Sequence, residues 1–435
     1  MSLIETVLDL GTLPRSQMPP HSLRLARLSL FDWAVCGRAG TREPLSAKLR
    51  ELAVHEGGHP SASIFGGGRY PARMAALVNG ATSHALDYDD THFAHVGHLS
   101  VGIYPAALAV GEETGADGQS VVEAFLAGAE AAIRIGVALG TAHYNRGFHQ
   151  TATAGAFGAT IAAARLYGLN REQTRAAIGL CATRASGLKS QFGTMGKPYN
   201  AGIAASNGIE CASLARMGFT SCADGLNGPQ GFLPTHTDAA VPDLAPVSAF
   251  LFDDVKYKFH ACCHGTHAMI EGLLDTFAAH PASLETVERI TLRTNPRWLR
   301  VCDIPAPATG LEVKFSYRWL AGMVVDDRAT GVDTVYTDAL AADPSLADFA
   351  RRVEVVADEG IDDMQAAGEI EMRDGETLAF AHDLARPLPA DVLEEKLLAK
   401  AKALIGTEAG ALQALIHDLD DMDAGAIGHI IRDAA

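Results

Sequence analysis

Through the first 230 residues, apolar side chains recur at every third or fourth position on a background rich in Ala and Gly. That period is helical. It predicts helices over 22–35, 74–86, 103–114, 120–139, 151–167, 172–186 and 203–217. Gly115 closes the third of these. Ser120 and Glu123 have the spacing of a capping box at the start of the fourth, and Asn170 is placed to cap the sixth. Ala and Gly fall where neighbouring helices would meet. Small residues let helix axes approach closely, so a tight multi-helix bundle is expected. Charges such as Glu123, Glu130 and Arg134 interrupt the apolar stretches, which argues against a bundle inside a membrane.

After about residue 235 the pattern changes. Stretches 287–292 and 353–356 read as strands, and 369–372 with 378–380 flank Asp374-Gly375, a hairpin signal. Helical stretches over 266–278 and 315–325 lie between them, and the chain reads helical again from Ala390. The fold class expected is mainly α with an α+β insertion. Residues 1–254 and 395–435 would make a discontinuous helical domain, and 255–394 a smaller α+β domain.

Composition narrows the setting. The chain has 435 residues, 48% hydrophobic and 20% charged, enough for real cores and unlike a disordered chain. Seven cysteines, without a CxxC pair, do not make a disulfide framework. Free thiols, an N-terminus unlike a signal peptide and the lack of an apolar run long enough to span a membrane point to the cytoplasm. The net charge of −17 excludes a general binder of nucleic acid or anionic membrane. An anionic substrate would have to be held by a few local cations.

Four segments carry candidate chemistry. Asp87-Tyr88-Asp89-Asp90-Thr91-His92, with His95 and His98, concentrates carboxylates and imidazoles. Lacking HExxH or CxxC spacing, it reads as an acid/base loop without a metal, in which Asp fixes a His tautomer and His moves a proton. Arg146-Gly147-Phe148-His149 precedes a predicted helix, whose N-terminus favours anions. Tyr144 and Arg146 are candidates for holding substrate there. Gly193 to Gly202 carries Lys197 but fails the phosphate-loop spacing, leaving Lys197 as an anchor for one carboxylate. Lys256 to His267 holds Lys258, Cys262 and Cys263. Adjacent cysteines chelate one tetrahedral ion poorly, so zinc is not expected.

Taken in order, these segments resemble the MmgE/PrpD family over nearly the whole chain. The likeness rests on the loop from Asp87 to His98, Phe148-His149, Lys197-Pro198 with Gly202, Lys258 before Cys262-Cys263, and Pro307-Ala308-Thr309-Gly310-Leu311-Glu312-Val313-Lys314-Phe315-Ser316. The family includes 2-methylcitrate dehydratase, cis-aconitate decarboxylase and iminodisuccinate epimerase. The resemblance implies a helical domain completed by the C-terminal segment, an inserted α+β domain, a site between them, a homodimer, and no metal or organic cofactor. It puts the Asp, Thr and His of the first loop at Asp87, Thr91 and His98, with one residue inserted before His98. Further family positions fall on His149, Lys197 and Lys258. Where the decarboxylase and methylcitrate branches carry a His after the last lysine, this chain has Cys263, which leaves the specific reaction open.

The chemistry expected is proton transfer next to a carboxylate of a small di- or tricarboxylate. Charge growing on that carboxylate would be met by Lys197 and Lys258. A His would move the carbon-bound proton, and Cys263 is a candidate second acid or base. A dehydratase or hydratase lyase is the first expectation. The alternatives are an epimerase of an iminodisuccinate-like dicarboxylate, a cis-aconitate-type decarboxylase, and a polycarboxylate-binding protein without turnover.

Overall fold

The computed structural model describes residues 2–240, 242–243 and 245–432; positions 1, 241, 244 and 433–435, some at the ends of the expected helical domain, lie outside the described residues. The chain divides into two units. One runs to Tyr257 and resumes at Ile405; the other is Lys258–Leu404.

The first unit is built from nine principal helices: α1 (Leu3–Thr12), α2 (Pro20–Gly40), α3 (Pro44–Glu56), α4 (Ala72–Ser83), α5 (Ser100–Thr114), α6 (Gly118–Arg146), α7 (Gln150–Leu166), α8 (Arg171–Arg184) and α9 (Gly196–Arg216). Gly115 ends α5 in the left-handed region, and Asn170 with Gln173 makes a full capping box on α8. Two expectations are corrected. Asp117, not Ser120, caps α6: its carboxylate accepts from Ser120 N–H at 2.6 Å, and Glu123 pairs instead with Arg15 and Arg165. Likewise α9 begins at Gly196, seven residues before the predicted start. Pro198 sits in its first turn, where a missing N–H costs nothing.

Four helices, α4, α5, α7 and α9, pack against one another at close range. One close crossing among them is set by two glycines. A Cβ on Gly202 of α9 would stand 2.3 Å from the carbonyl oxygen of Leu77 in α4. A Cβ on Gly80 would meet Gly202 Cα at 2.8 Å and Val101 O of α5 at 2.9 Å. Pro105 lies inside α5 and has no N–H for the Val101 carbonyl, so that oxygen is free to face α4. Beside the crossing an aromatic core of Trp33, Phe65, Tyr104, Phe125 and Phe252 is buried, with Tyr104 stacked on Phe125 at 3.6 Å. A fully buried ion pair, Arg134–Glu130, ties the chain after Leu244 to α6. Arg134 donates to the carbonyls of Ala245, Pro246 and Ala249, and Glu130 accepts from Phe252 N–H at 2.9 Å. No helix among the described residues is long and apolar enough to cross a membrane.

The second unit has one mixed sheet of four strands: β3 (Val287–Thr294), β4 (Val353–Ala357), β5 (Gln365–Met372) and β6 (Thr377–Asp383), following the two-residue pair β1 (Ala62–Ser63) and β2 (Arg69–Tyr70) of the first unit. The order is β4-β3-β5-β6, with β3 and β4 parallel and the other pairs antiparallel. The β5–β6 hairpin turns at Asp374-Gly375 as predicted, with Gly375 at φ +93°. The helix His267–Ala279 covers β5 and β6, and Tyr317–Val325 lies against β4. All seven cysteines are free thiols.

Gly202→Ala should force α4 and α9 apart against backbone that cannot yield, costing about 1–3 kcal/mol. Thermal unfolding at a fixed scan rate should show Tm lowered by several degrees. Gly410→Ala, exposed and with no atom near its Cβ, should leave Tm unchanged or slightly raised. Equal Tm values for the two variants would show that the crossing tolerates a methyl group.

Candidate active site

The crossing gathers helix ends. α4 ends at His84, while α5, α7 and α9 all begin nearby. Gly97, just before α5, would place a Cβ 2.9 Å from Thr151 N in α7, and His98 N–H donates to Thr151 Oγ1 at 3.0 Å. Three helix N-termini therefore converge, each contributing a partial positive charge.

The loop between α4 and α5 is pinned by backbone and side-chain bonds. Thr91 and Lys256 exchange two backbone hydrogen bonds of 2.8 Å. Asp90 accepts from Ser100 Oγ and Ser100 N. His92 Nδ1 accepts from His95 N–H, which leaves its Nε2–H for Leu251 O at 2.8 Å. His95 Nδ1 faces Ala132 O, and burial pushes its pKa down to about 3. His92 and His95 are thus structural. The path of this loop takes Asp87 through φ +53° and Val96 through φ +55°, both costly for residues with a Cβ.

His98 is the imidazole that this loop delivers to the helix ends. Its Nδ1 lies 2.7 Å from Asp89 Oδ2 and its Nε2 lies 3.2 Å from Asp87 Oδ1. A carboxylate oxygen only accepts, so a proton shared between the ring and either acid is supplied by the imidazole. Asp89 is fully buried and meets a second imidazole, with Oδ1 2.8 Å from His84 Nδ1. Burial alone would raise the Asp89 carboxyl; His84 and then His98 reverse that and hold it well below the usual carboxylate range. Burial keeps His84 neutral against the pull of Asp89. Lys197, in the first turn of α9, brings Nζ to 2.6 Å from Asp87 Oδ2. Exposure grades across the group: Asp87 is 37% exposed, Lys197 18%, His98 10%, His84 and Asp89 not at all. Solvent and any ligand reach it from the Asp87–Lys197 side. His149 caps α7 beside it, its ring 6.2 Å from that of His84 and edge-on to Phe192 at 4.9 Å.

Four residues singled out in the sequence, Asp87, His98, His149 and Lys197, therefore come together. Thr91 stands in the same loop, half-buried. Arg146 does not join: its guanidinium is paired with Asp238 at the surface. Tyr144 does not join either, for its ring carries Lys189 Nζ at 3.5 Å. Three members escaped the sequence reading. His84 is a lone polar residue at the end of an apolar helix, and Asp89 was one of three acids without a local distinction. Asn200, one turn after Lys197, lay in a stretch read as loop.

The second unit holds its own candidates. Lys258 is buried and Cys263 half-buried, with Cys263 N–H donating to Lys314 O at 3.0 Å. Cys262 packs its sulfur 3.1 Å from Thr266 Oγ1, and burial pushes its thiol up to about 12. The rings of His260 and His264 flank His267 at 5.0 and 4.7 Å.

His84, Asp87, Asp89 and His98 each offer a metal-ligand atom, all within 4.8 Å of one another. The search for metal spacing within 87–98 could not see this, because His84 lies outside that segment. The donor set suits a divalent ion poorly as it stands. Both Asp89 oxygens are engaged by imidazoles, and the Lys197 ammonium already lies on Asp87.

Comparison with known proteins bears on what this group does. Residues 10–245 match the MmgE/PrpD N-terminal domain and residues 260–421 the MmgE/PrpD C-terminal domain. The chain is 27% identical over 433 residues to the cis-aconitate decarboxylase-like protein oryM of Aspergillus oryzae, covering 90% of this chain and 89% of that protein. It is 25% identical to the cis-aconitate decarboxylase of Aspergillus terreus, over 95% of this chain and 91% of the relative. The human cis-aconitate decarboxylase is 25% identical over 82% of this chain and 78% of its own. With both domain models matched in order along nearly its full length, the chain belongs to the MmgE/PrpD family.

Proposed function

We propose that this protein is a lyase acting on a small di- or tricarboxylate, and that its chemical step passes a proton between His98 and a carbon beside a carboxylate. The observation that carries the reading is His98 held between Asp87 and Asp89 at the meeting of three helix N-termini, with Lys197 alongside. The helix ends and Lys197 favour an anion. A fixed imidazole with a carboxylate on each nitrogen is a group set to give a proton.

Sequence alone ranks dehydration or hydration first. The resting cluster and the decarboxylase relatives favour decarboxylation. In that reaction the C–CO2 bond breaks and its electron pair stays on carbon, delocalised toward a neighbouring carboxylate. Lys197 steadies that charge. The proton moves from His98 to the carbon, and CO2 leaves. Asp87, the most exposed member, then relays a solvent proton back to His98. This route asks for an acid and no separate base. Dehydration would need His98 deprotonated first. Lys258 and Cys263 enter the proposal through the family pattern, Lys258 as a second cation and Cys263 as a further acid or base.

One assay separates the outcomes. In D2O, with a panel including cis-aconitate, citrate and 2-methylcitrate, NMR should show CO2 loss with one deuterium incorporated at a carbon of the product. Loss or gain of water would mark a dehydratase or hydratase, and deuterium at an inverted centre an epimerase. Binding without exchange or turnover of any of these acids would refute the lyase reading. Within it, His98→Gln should lower kcat by about 10²-fold or more, and His92→Gln should be close to wild type. Lys197→Ala should damage turnover while Lys189→Ala should not; a rise confined to KM would make Lys197 an anchor only. Cys263→Ser should cost activity and Cys262→Ser should not, as a thiol pushed up to about 12 does not ionise near neutrality. Prolonged EDTA treatment should leave kcat intact, checked by elemental analysis of the treated protein; activity lost with a bound metal and restored by it would overturn the metal-free route.

A further inference from the structure

His149 is 3% exposed and sits just ahead of α7, its backbone N–H bonded to Gly187 O at 3.0 Å. Its Nδ1 lies 3.1 Å from Asn200 Nδ2, and the same Nδ2 lies 3.3 Å from Leu188 O. A backbone carbonyl has only lone pairs to offer. The side of the Asn200 amide that faces Leu188 O must therefore be its NH2, and the oxygen must lie on the other side. One amide hydrogen goes to Leu188 O and the other to His149 Nδ1. His149 Nδ1 is then an acceptor and carries no proton. In the neutral ring the proton belongs to Nε2, which makes no hydrogen bond among the described residues.

Neutrality follows from the surroundings. Burial pushes the His149 pKa well down; His84, Lys197 and His98 push the same way, and only Asp87 opposes them. The start of α7 adds its own positive end. The ring has no carboxylate on Nδ1, in contrast with His98 and His84, both of which meet Asp89 there. Two imidazoles that both neighbour His84 are thus given opposite settings by their partners: an amide donor for one, carboxylates for the other.

We infer that Asn200 is a positioning residue that fixes His149 as a neutral imidazole with its proton on Nε2, a hydrogen-bond donor to the substrate carboxylate on which charge develops. The inference rests on the lyase reading above and adds a division of labour to it. His98 transfers the proton to carbon. His149 stays protonated throughout and stabilises charge without moving a proton, as a preorganised donor does. Asn200 is one helical turn from Lys197 on α9, so one helix face supplies both the cation and the group that sets this donor.

The test reads the tautomer directly. With the protein labelled with 15N-histidine, His149→Gln identifies the His149 signals by their loss. The unmodified protein should show an unprotonated Nδ1 and a protonated Nε2. Asn200→Asp, nearly identical in shape, replaces the donor by an acceptor and should move a proton onto Nδ1. Its kcat should fall about 10–100-fold, the scale of a misplaced catalytic group, with little change in KM. His149→Gln, which keeps an N–H near the position of Nε2, should retain more activity than His149→Ala. A proton on Nδ1 in the unmodified protein would overturn the inference whatever the variants do. So would a folded Asn200→Asp variant with wild-type kcat. If the tautomer is as stated but no polycarboxylate is turned over, the lyase reading fails while the assignment of Asn200 and His149 stands.

Discussion

The contact on which everything else hangs is backbone against backbone: Gly202 of α9 seated on the Leu77 carbonyl of α4, with Gly80 and the Val101 carbonyl completing the crossing. At ordinary helix separations the ends of α4, α5, α7 and α9 would stand too far apart for side chains as short as Asp and Asn to bridge them. At this separation Asp89 reaches both His84 and His98, and Asn200 reaches His149. The chemistry is built from ordinary residues. What is unusual is the proximity of the helix ends that carry them, and that proximity is made of missing side chains.

Burial then divides the group by depth. The deep members, Asp89 and His84, are sealed and fixed in one charge state each: Asp89 ionised through its two imidazoles, His84 neutral through desolvation. The outer members, Asp87 and Lys197, keep contact with water. His98 joins the two layers, one nitrogen on each carboxylate. A rigid inner carboxylate orients the ring, and an outer one connects it with solvent protons. The same logic serves the neighbouring part of the bundle, where the sealed Glu130–Arg134 pair is satisfied by backbone N–H and carbonyl groups.

Much of this was legible in the chain. The helices follow from apolar spacing, and the β5–β6 hairpin from Asp374-Gly375, because these signals are local. Asp87, His98, His149 and Lys197 were legible as an ordered set, each beside a Gly, Pro or aromatic that marks its turn. The start of α9 was not, because Pro198 reads as a break unless the first turn is already known to begin at Gly196. That error hid Asn200, whose relation to Lys197 exists only on a helix. His84 carries no local signal; its role depends on Asp89, five residues on, folding back to it. The pairing of Arg146 was hidden for the converse reason: Asp238, which takes its charge, is 92 residues away in sequence. Cap position decided α6: Asp117 starts the helix three residues earlier, and its carboxylate takes the N–H of Ser120 itself.

The pairing of Lys197 with Asp87 acts as a built-in competitor. Any anion approaching the ammonium finds a carboxylate already 2.6 Å away. Chloride, acetate or a single phosphate oxygen would exchange one negative partner for another and gain almost nothing. A molecule with two or three carboxylates can replace Asp87 at Lys197 and at the same time meet the partial positive charge of the neighbouring helix ends. The resting site is thereby quiet toward the simple anions that crowd any cell and responsive to valence, a filter by number of charges.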